Sequence, residues 1–397
     1  MTVEIRPVKP EELDEFMRVE SSFFGGGDSE DPVIMRPEWT LCAFDEGKLA
    51  TSYGAWPLTM RFNGEGIPVA GVTMVGTLPV YRRRGHLRGI TAEHFKRLHE
   101  EGERSIAILL AAWAAIYQRY GYGIVTTRNS YSIEPRYLEF ALPHPVTGSF
   151  RELGEDDFPL MVDLYRKFRA DRTGFLHRGR PMWDAGVLAR VPKGGVLGKV
   201  VYLEDNEPRG YLVYNTEPGG GPGTQNLNIR DLTWLTPSAY QALWKYLLRM
   251  DWVGNIRWGN VPSDDPLPHL LLEPRRLKIT SNDGLLGRII NVEKALPGRP
   301  YAEEATLYFE IVDDDLCPWN QRRWKMQTTP ADSVIMRTDE EPQLVMPVST
   351  LALLVFGQIS ATEAARMKRL DAVDETALPL WDRVMRTKYR PSCVDSF

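Results

Sequence analysis

One stretch constrains this chain more than any other: Val72-Thr73-Met74-Val75-Gly76-Thr77-Leu78-Pro79-Val80-Tyr81-Arg82-Arg83-Arg84-Gly85-His86-Leu87-Arg88 runs as an apolar strand through a basic glycine turn into a helix. The helix follows from spacing, because Leu87, Ile90, Thr91, His94, Phe95 and Leu98 recur at three and four residues and Gly102 stands as a C-terminal cap. Where a helix opens, its first backbone N–H groups lack intrahelical partners and its dipole adds partial positive charge, which favours a diphosphate. Gly85 lets backbone approach phosphate closely, and the three arginines supply charge-assisted hydrogen bonds. The turn lacks Gly-Lys-Ser/Thr, which argues against a triphosphate loop, and lacks G-x-G-x-x-G, which argues against a dinucleotide fold. Coenzyme A, with its pyrophosphate and 3′-phosphate, fits best.

A second apolar strand, Ser105–Leu110, follows, and then Ile116-Tyr117-Gln118-Arg119-Tyr120-Gly121-Tyr122-Gly123. Arg82-x-x-Gly85 resembles the phosphate-binding motif of the GCN5-related N-acetyltransferases (GNAT), with Leu87 where that motif ends in a small residue. In that family a short helix after the second strand carries a tyrosine and ends in a similar aromatic-glycine-aromatic turn.

With 397 residues the chain is long enough for two or three domains, since single cores rarely grow past roughly 250–300 residues. A net charge of −5 disfavours a general nucleic-acid partner. Cys42, Cys317 and Cys393 lie far apart without Cys-x-x-Cys or histidine pairs, so neither a disulfide framework nor a zinc site is expected, and a reducing cytoplasm is. No apolar run reaches the ~18–20 residues of a membrane span, and the start Met1-Thr2-Val3-Glu4 does not read as a signal peptide.

In chain order, a strand at 2–7 leads to an amphipathic helix with Leu13, Phe16, Met17 and Phe24 on one side. Gly25–Asp31 is a carboxylate-dense segment that reads either as a solvated loop or as an acidic rim attracting a cationic acceptor. Strand patterns at 40–44, 49–58 and 67–78 build a sheet up to the basic turn, and Pro143–Gly148 marks a domain boundary. The same order of elements then restarts: helices at 155–170 and 181–190, strands at 197–204, 209–215 and 227–235, a helix at 237–250 and a strand at 255–261. Thr236 and Pro237 open that last helix as cap and first residue, and no arginine or glycine occupies the turn, so this repeat carries no assigned chemistry. Strands at 305–312, 321–328 and 333–337 precede helices at 347–356, 361–370 and 376–386, an α+β order with a capping region at Ser360. The chain ends in an extended tail, Tyr389–Phe397.

Val72–Arg88, Ile116–Gly123, Asp264-Asp265-Pro266-Leu267-Pro268-His269-Leu270-Leu271, Arg288–Val292 and the terminal Phe397 together resemble the enhanced intracellular survival (Eis) family of acetyltransferases. The resemblance implies an α+β protein: a GNAT domain over 1–147, a second GNAT-like domain without the phosphate motif over 148–285, and a sterol-carrier-protein-like domain over 286–397. It implies a homohexamer, acetyl-CoA as cosubstrate without a metal, and amines of aminoglycoside or lysine type as acceptors. Val75, Gly76 and Thr77 would hold the pantetheine by backbone, and Arg83, Arg84, Gly85, His86, Leu87 and Arg88 would surround the pyrophosphate. Ala112 and Trp113 fall where the family often has Ser-Glu. Tyr117 matches the general acid, and Phe397 matches the residue whose terminal carboxylate is the base. The family's penultimate acid is Ser396 here, with Asp395 beside it.

Amine attack on a thioester needs a neutral amine, stabilisation of the developing oxyanion and a proton for the departing thiolate. An α-carboxylate of pKa about 3.5 is ionised at pH 7, and a phenol of about 10 can protonate a thiolate of about 8.5. A backbone N–H of Val75 or Gly76 would serve the oxyanion if the strand splays. His86 and His94 are the histidine alternatives for the base, but His94 falls on the helix's core face and His86 beside the phosphates, while Tyr120 and Tyr122 are expected as packing aromatics. A reading from another class is a non-catalytic acyl-CoA or lipid sensor, favoured by Ala111–Ala115 beside the acyl group.

Overall fold

A computed structural model describes residues 3–24, 35–191, 195–221 and 224–397. The acidic segment Gly25–Asp31, with Asp28 and Glu30, lies outside the described residues, as does the Phe24 side chain. Contacts divide the chain into two compact units, one of residues 1–126, 284–391 and 397, the other of residues 127–283 and 392–396.

The first unit holds a seven-stranded sheet. Its strands are β1 (Val3–Arg6), β2 (Cys42–Asp45), β3 (Lys48–Phe62), β4 (Glu65–Thr77), β5 (Ile106–Leu110), β6 (Gly123–Ile124) and β14 (Leu285–Ile289), in the order β1-β2-β3-β4-β5-β14-β6. Helix α1 (Leu13–Phe24) buries Phe16 and Val19, with Leu13 and Met17 partly buried beside them. Helix α2 (His86–Glu101) buries Ile90, Thr91, His94, Phe95 and Leu98, the stripe that its spacing predicts. It is stopped by Gly102 at φ +70, a left-handed conformation that costs glycine little. Strands β4 and β5 are parallel with α2 as crossover, and the short helix α3 (Ala114–Gln118) follows β5. The same unit carries a five-stranded sheet, β17 (Ser333–Arg337), β16 (Arg323–Thr328), β15 (Ala305–Val312), β18 (Leu344–Pro347) and β19 (Asp371–Ala372), the expected third segment. Ser360 and Glu363 form the reciprocal cap predicted there.

The second unit orders its strands β13 (Lys278–Asp283), β7 (Thr127–Ile133), β12 (Val253–Val261), β11 (Gln225–Trp234), β10 (Glu207–Pro218), β9 (Leu197–Glu204) and β8 (Ser149–Glu152). Helix α4 (Phe158–Phe168) and the short α5 (Arg180–Ala185) precede β9. The expected helix over 181–190 ends early, at Gly186. Strands β11 and β12 are parallel with helix α6 (Pro237–Leu247) as crossover, so the internal repeat is visible as topology. Thr236 caps α6, its hydroxyl accepting from Ala239 N at 3.1 Å.

Sheet membership does not follow the expected boundaries at 147 and 285. Strand β7 leaves the first sheet and pairs with β12 and β13, while β14 enters it, antiparallel to β5 from Leu285↔Leu110 to Ile289↔Ile106. The physical reason is burial. Ile106–Leu109 and Leu285–Ile289 are all buried, and β5 beyond β4 needs a second neighbour for its backbone groups. Among the described residues no helix is long and apolar enough to cross a membrane.

Candidate active site

Strand β4 carries the site because it cannot stay regular. Its pairing with β3 shifts between Ser52↔Gly76 and Gly54↔Thr73, so Met74 and Val75 together oppose Tyr53, and Met74 is pushed to φ +53. Such a bulge bends the strand and re-aims its backbone. The parallel pairing with β5 runs only from Ala70↔Ala107 to Val72↔Leu109, so β4 continues past the end of that ladder. Val75, Gly76 and Thr77 are half-buried there. Gly76 has no room for a side chain, since a Cβ would stand 2.1 Å from the Phe23 ring of α1.

Beyond Thr77 the chain makes a short 3-10 turn at Pro79–Tyr81 and then enters α2 through Gly85 at φ +84. Among the described residues, apart from its chain neighbours, nothing lies within 4 Å of the Cβ that Gly85 lacks, so these residues leave the space before the helix N-terminus open. A cleft of 260 Å³ lies here, lined by Thr77, Tyr81, Arg82, Arg83, Arg84, Gly85, His86, Leu87, Arg88 and Tyr120. Tyr120 packs against the core as expected and also forms a wall of the cleft, and Tyr122 is buried.

The arginines are not equivalent. Arg82 donates through Nε to the Thr77 carbonyl at 3.1 Å. Arg84 donates to Asp45 Oδ2 at 2.8 Å and to the Val80 carbonyl at 3.0 Å, which fixes its fork against a buried carboxylate. Arg83 is exposed and makes no hydrogen bond or ion pair among the described residues. Arg88 is exposed, 3.8 Å from Asp315. His86 is buried, its Nε2 3.8 Å from Asp45 Oδ2, and neither ring nitrogen has a hydrogen-bond partner among the described residues. Leu87 packs on the core beneath. Coenzyme A phosphates fit such a donor set of exposed guanidinium groups and opening helix N–H groups, with the His86 ring nitrogens buried behind them.

His94 lies on the core face of α2, its Nδ1 sharing a hydrogen bond of 2.7 Å with the Tyr53 hydroxyl, and burial lowers its pKa to about 4. Tyr117 sits on α3, its ring edge-on to Tyr122 at 5.9 Å, and burial pushes its phenol up to about 12. It stays protonated at neutral pH. Its hydroxyl makes no hydrogen bond among the described residues. Ala112 and Trp113, at the start of α3, are exposed.

The last residue docks in the first unit. The Thr73 hydroxyl donates to the Phe397 main-chain oxygen at 3.3 Å, and the Phe397 ring lies against Gly71, where an added Cβ would stand 3.2 Å from it. Asp395 is not a second acid at this place: its carboxylate is buried in the second unit, accepting from Arg178 Nε at 2.6 Å and from the Tyr165 hydroxyl at 3.1 Å. Sequence reasoning missed Thr73, Asp45 and Phe23. The two strand glycines Gly71 and Gly76 were the available signal, because glycine inside a strand marks a close approach by something else.

Family models of an acetyltransferase (GNAT) domain match residues 4–125 and again 174–289, and a sterol carrier protein domain matches 292–394. An uncharacterized N-acetyltransferase of Streptomyces avermitilis is 30% identical over 415 residues, covering 100% of this chain and 99% of its own. N-acetyltransferase Eis of Mycobacterium tuberculosis is 29% identical over 324 residues, covering 79% of this chain and 76% of its own. The crystal structure of Eis1 from Mycobacterium abscessus superposes with a TM-score of 0.86 at 26% identity, covering 100% of both chains.

Proposed function

The chain belongs to the Eis family of GCN5-related N-acetyltransferases, and from that premise we propose that its first domain moves acetyl from acetyl-CoA to a primary amine with Tyr117 as general acid and the Phe397 carboxylate as general base. Family membership decides for an enzyme over a non-catalytic sensor. The observation that carries the reading is the seat of Phe397, whose terminal oxygen meets Thr73 on the strand that bulges at Met74 and Val75. On this reading the α-carboxylate of Phe397, ionised at neutral pH, faces the backbone that meets the acyl group.

Acetyl-CoA supplies the activated thioester. Arg83, Arg84, Gly85, His86, Leu87 and Arg88 hold its phosphates at the mouth of α2, with Val75, Gly76 and Thr77 along the pantetheine and Ala112 and Trp113 at its far side. The Phe397 carboxylate takes the proton from the acceptor's ammonium or from the amine as it attacks, and a bulge N–H steadies the oxyanion. Tyr117 gives its phenolic proton to the departing sulfur. With its pKa raised to about 12 the phenol is still protonated when the sulfur departs, and it regains a proton from solvent afterwards.

The acceptor class we assign is a primary amine of aminoglycoside or lysine type. With Asp395 tied to Arg178, the described tail offers a cationic acceptor the α-carboxylate alone. A homohexamer and a cytoplasmic setting belong to the same proposal. The test is thiol release from acetyl-CoA across an amine panel, comparing the native chain with one extended by a single residue after Phe397. The native protein should turn over, and the extended one should fall by about a hundredfold. Full activity in a folded, extended protein removes the carboxylate from the mechanism, and no release with any amine despite tight acetyl-CoA binding overturns the acetyltransferase reading of the site.

A further inference from the structure

We propose that Arg288, held by Asp314, is the positioning residue of the general acid, fixing the turn that carries Tyr117. The inference rests on Tyr117 being the acid. Arg288 lies on β14, opposite Ala107 of β5, and its side chain is 0% exposed. Burying a guanidinium with its carboxylate is costly, and apolar replacements of the same volume are often as stable. What the pair supplies is therefore to be sought in geometry.

Each arm of the guanidinium has one acceptor. Nε donates to the Tyr120 carbonyl at 2.9 Å, Nη1 to the Ile289 carbonyl at 2.6 Å, and Nη2 to Asp314 Oδ1. Asp314 is itself held, Oδ1 accepting from Cys317 N at 3.2 Å and Oδ2 from Asn320 Nδ2 at 3.0 Å. The Tyr120 carbonyl belongs to the turn that closes α3: Tyr120 N donates to the Tyr117 carbonyl at 2.8 Å and Gly121 N to the Gln118 carbonyl at 3.1 Å. Gly121 stands at φ +81, and a Cβ there would lie 2.9 Å from Arg288 Nε. The turn is left bare on the side where the guanidinium lies.

The guanidinium carbon lies over the Phe95 ring of α2, 5.2 Å from its centroid. Phe95 contacts Tyr122 at 6.1 Å, and Tyr122 contacts the Tyr117 ring at 5.9 Å. One planar group thus touches the helix that opens on the cofactor cleft, the turn behind the acid and the loop bearing Asp314. A lysine, with a single ammonium, cannot satisfy the three acceptors in this arrangement.

Arg288→Lys and Asp314→Asn are to be measured for kcat and for the acetyl-CoA KM, alone and combined with Tyr117→Phe. Each single variant should lower kcat by about tenfold to a hundredfold, with the acetyl-CoA KM nearly unchanged. Neither should lower it further once Tyr117 is phenylalanine, because groups acting through one another are not additive. A full multiplicative loss on top of Tyr117→Phe, or a rise in KM alone, overturns the positioning role and leaves the acid standing. Undiminished turnover in Tyr117→Phe overturns the acid and this inference with it. Should Arg288→Lys not fold, Arg288→Met with Asp314→Leu removes both charges, and normal kcat there overturns the proposal. If none of these variants folds, the pair is structural and the assignment falls.

Discussion

At the scale of single residues, the basic turn divides its work according to what each arginine already holds. Among the described residues Arg83 has no partner, so, if it holds a cofactor phosphate as proposed, Arg83→Ala should weaken acetyl-CoA by about tenfold or more, the worth of one charge-assisted hydrogen bond, and leave the melting temperature alone. Arg84 also neutralises Asp45, which is buried. Arg84→Ala should therefore weaken binding and destabilise the fold together, because it strands a carboxylate. Calorimetry and thermal unfolding on the two variants separate these outcomes, and unchanged affinity in the double variant would remove the turn from cofactor binding. The asymmetry was invisible in the run Arg82-Arg83-Arg84, since only folding brings Asp45 from β2 beside one of the three.

At the scale of elements, α2 was legible from its stripe and the Gly102 cap, and so was the place of His94 on its core face. Because burial takes its pKa down to about 4, from an ordinary value near 6.5, the unfolded chain binds a proton that the folded chain refuses between those pH values. Its contribution to stability is complete above pH ~6.5 and is lost as pH falls toward 4. His94→Asn should lower stability at neutral pH but flatten its decline between about pH 6.5 and 4. Urea unfolding of both proteins at several pH values measures the slope, and an unchanged slope would show that another group titrates there. Strands 305–312 and 333–337 coincide with β15 and β17, whereas β7 was not foreseen. Thr127-Arg128-Asn129-Ser130-Tyr131-Ser132-Ile133 has little apolar alternation, and it is a strand because β12 and β13, far along the chain, supply its hydrogen bonds.

For the molecule as a whole, the tail is secured before its last residue. Ser392 N donates to the Thr173 carbonyl at 2.9 Å and its hydroxyl accepts from Ser263 N at 2.7 Å, while Asp395 shares buried Arg178 with Asp231. Removal of Arg178 leaves two buried carboxylates, so Arg178→Leu should cost about 3–5 kcal/mol, read by chemical denaturation of the full chain. A loss below about 1 kcal/mol would show that the two carboxylates do not depend on Arg178. Deleting Phe397 alone removes none of these bonds, which is why the tail variants can be judged on activity rather than on folding.

What the sequence determined by itself is whatever near neighbours settle: the strand, turn and helix at 72–102, the Thr236 and Ser360 caps, and the repeat of a strand-helix-strand order. Periodicity, capping and turn preference act within a few residues and leave their mark in the letters. Tertiary structure alone decided that Met74 and Val75 bulge, that β14 completes the first sheet and β7 the second, that Asp45 engages Arg84, that Arg288 reaches the turn behind Tyr117, and that Phe397 meets Thr73. Those are pairings between residues as many as 324 positions apart. Such pairings depend on which buried edges and charges are left unsatisfied once the local elements have formed, and no local pattern records that.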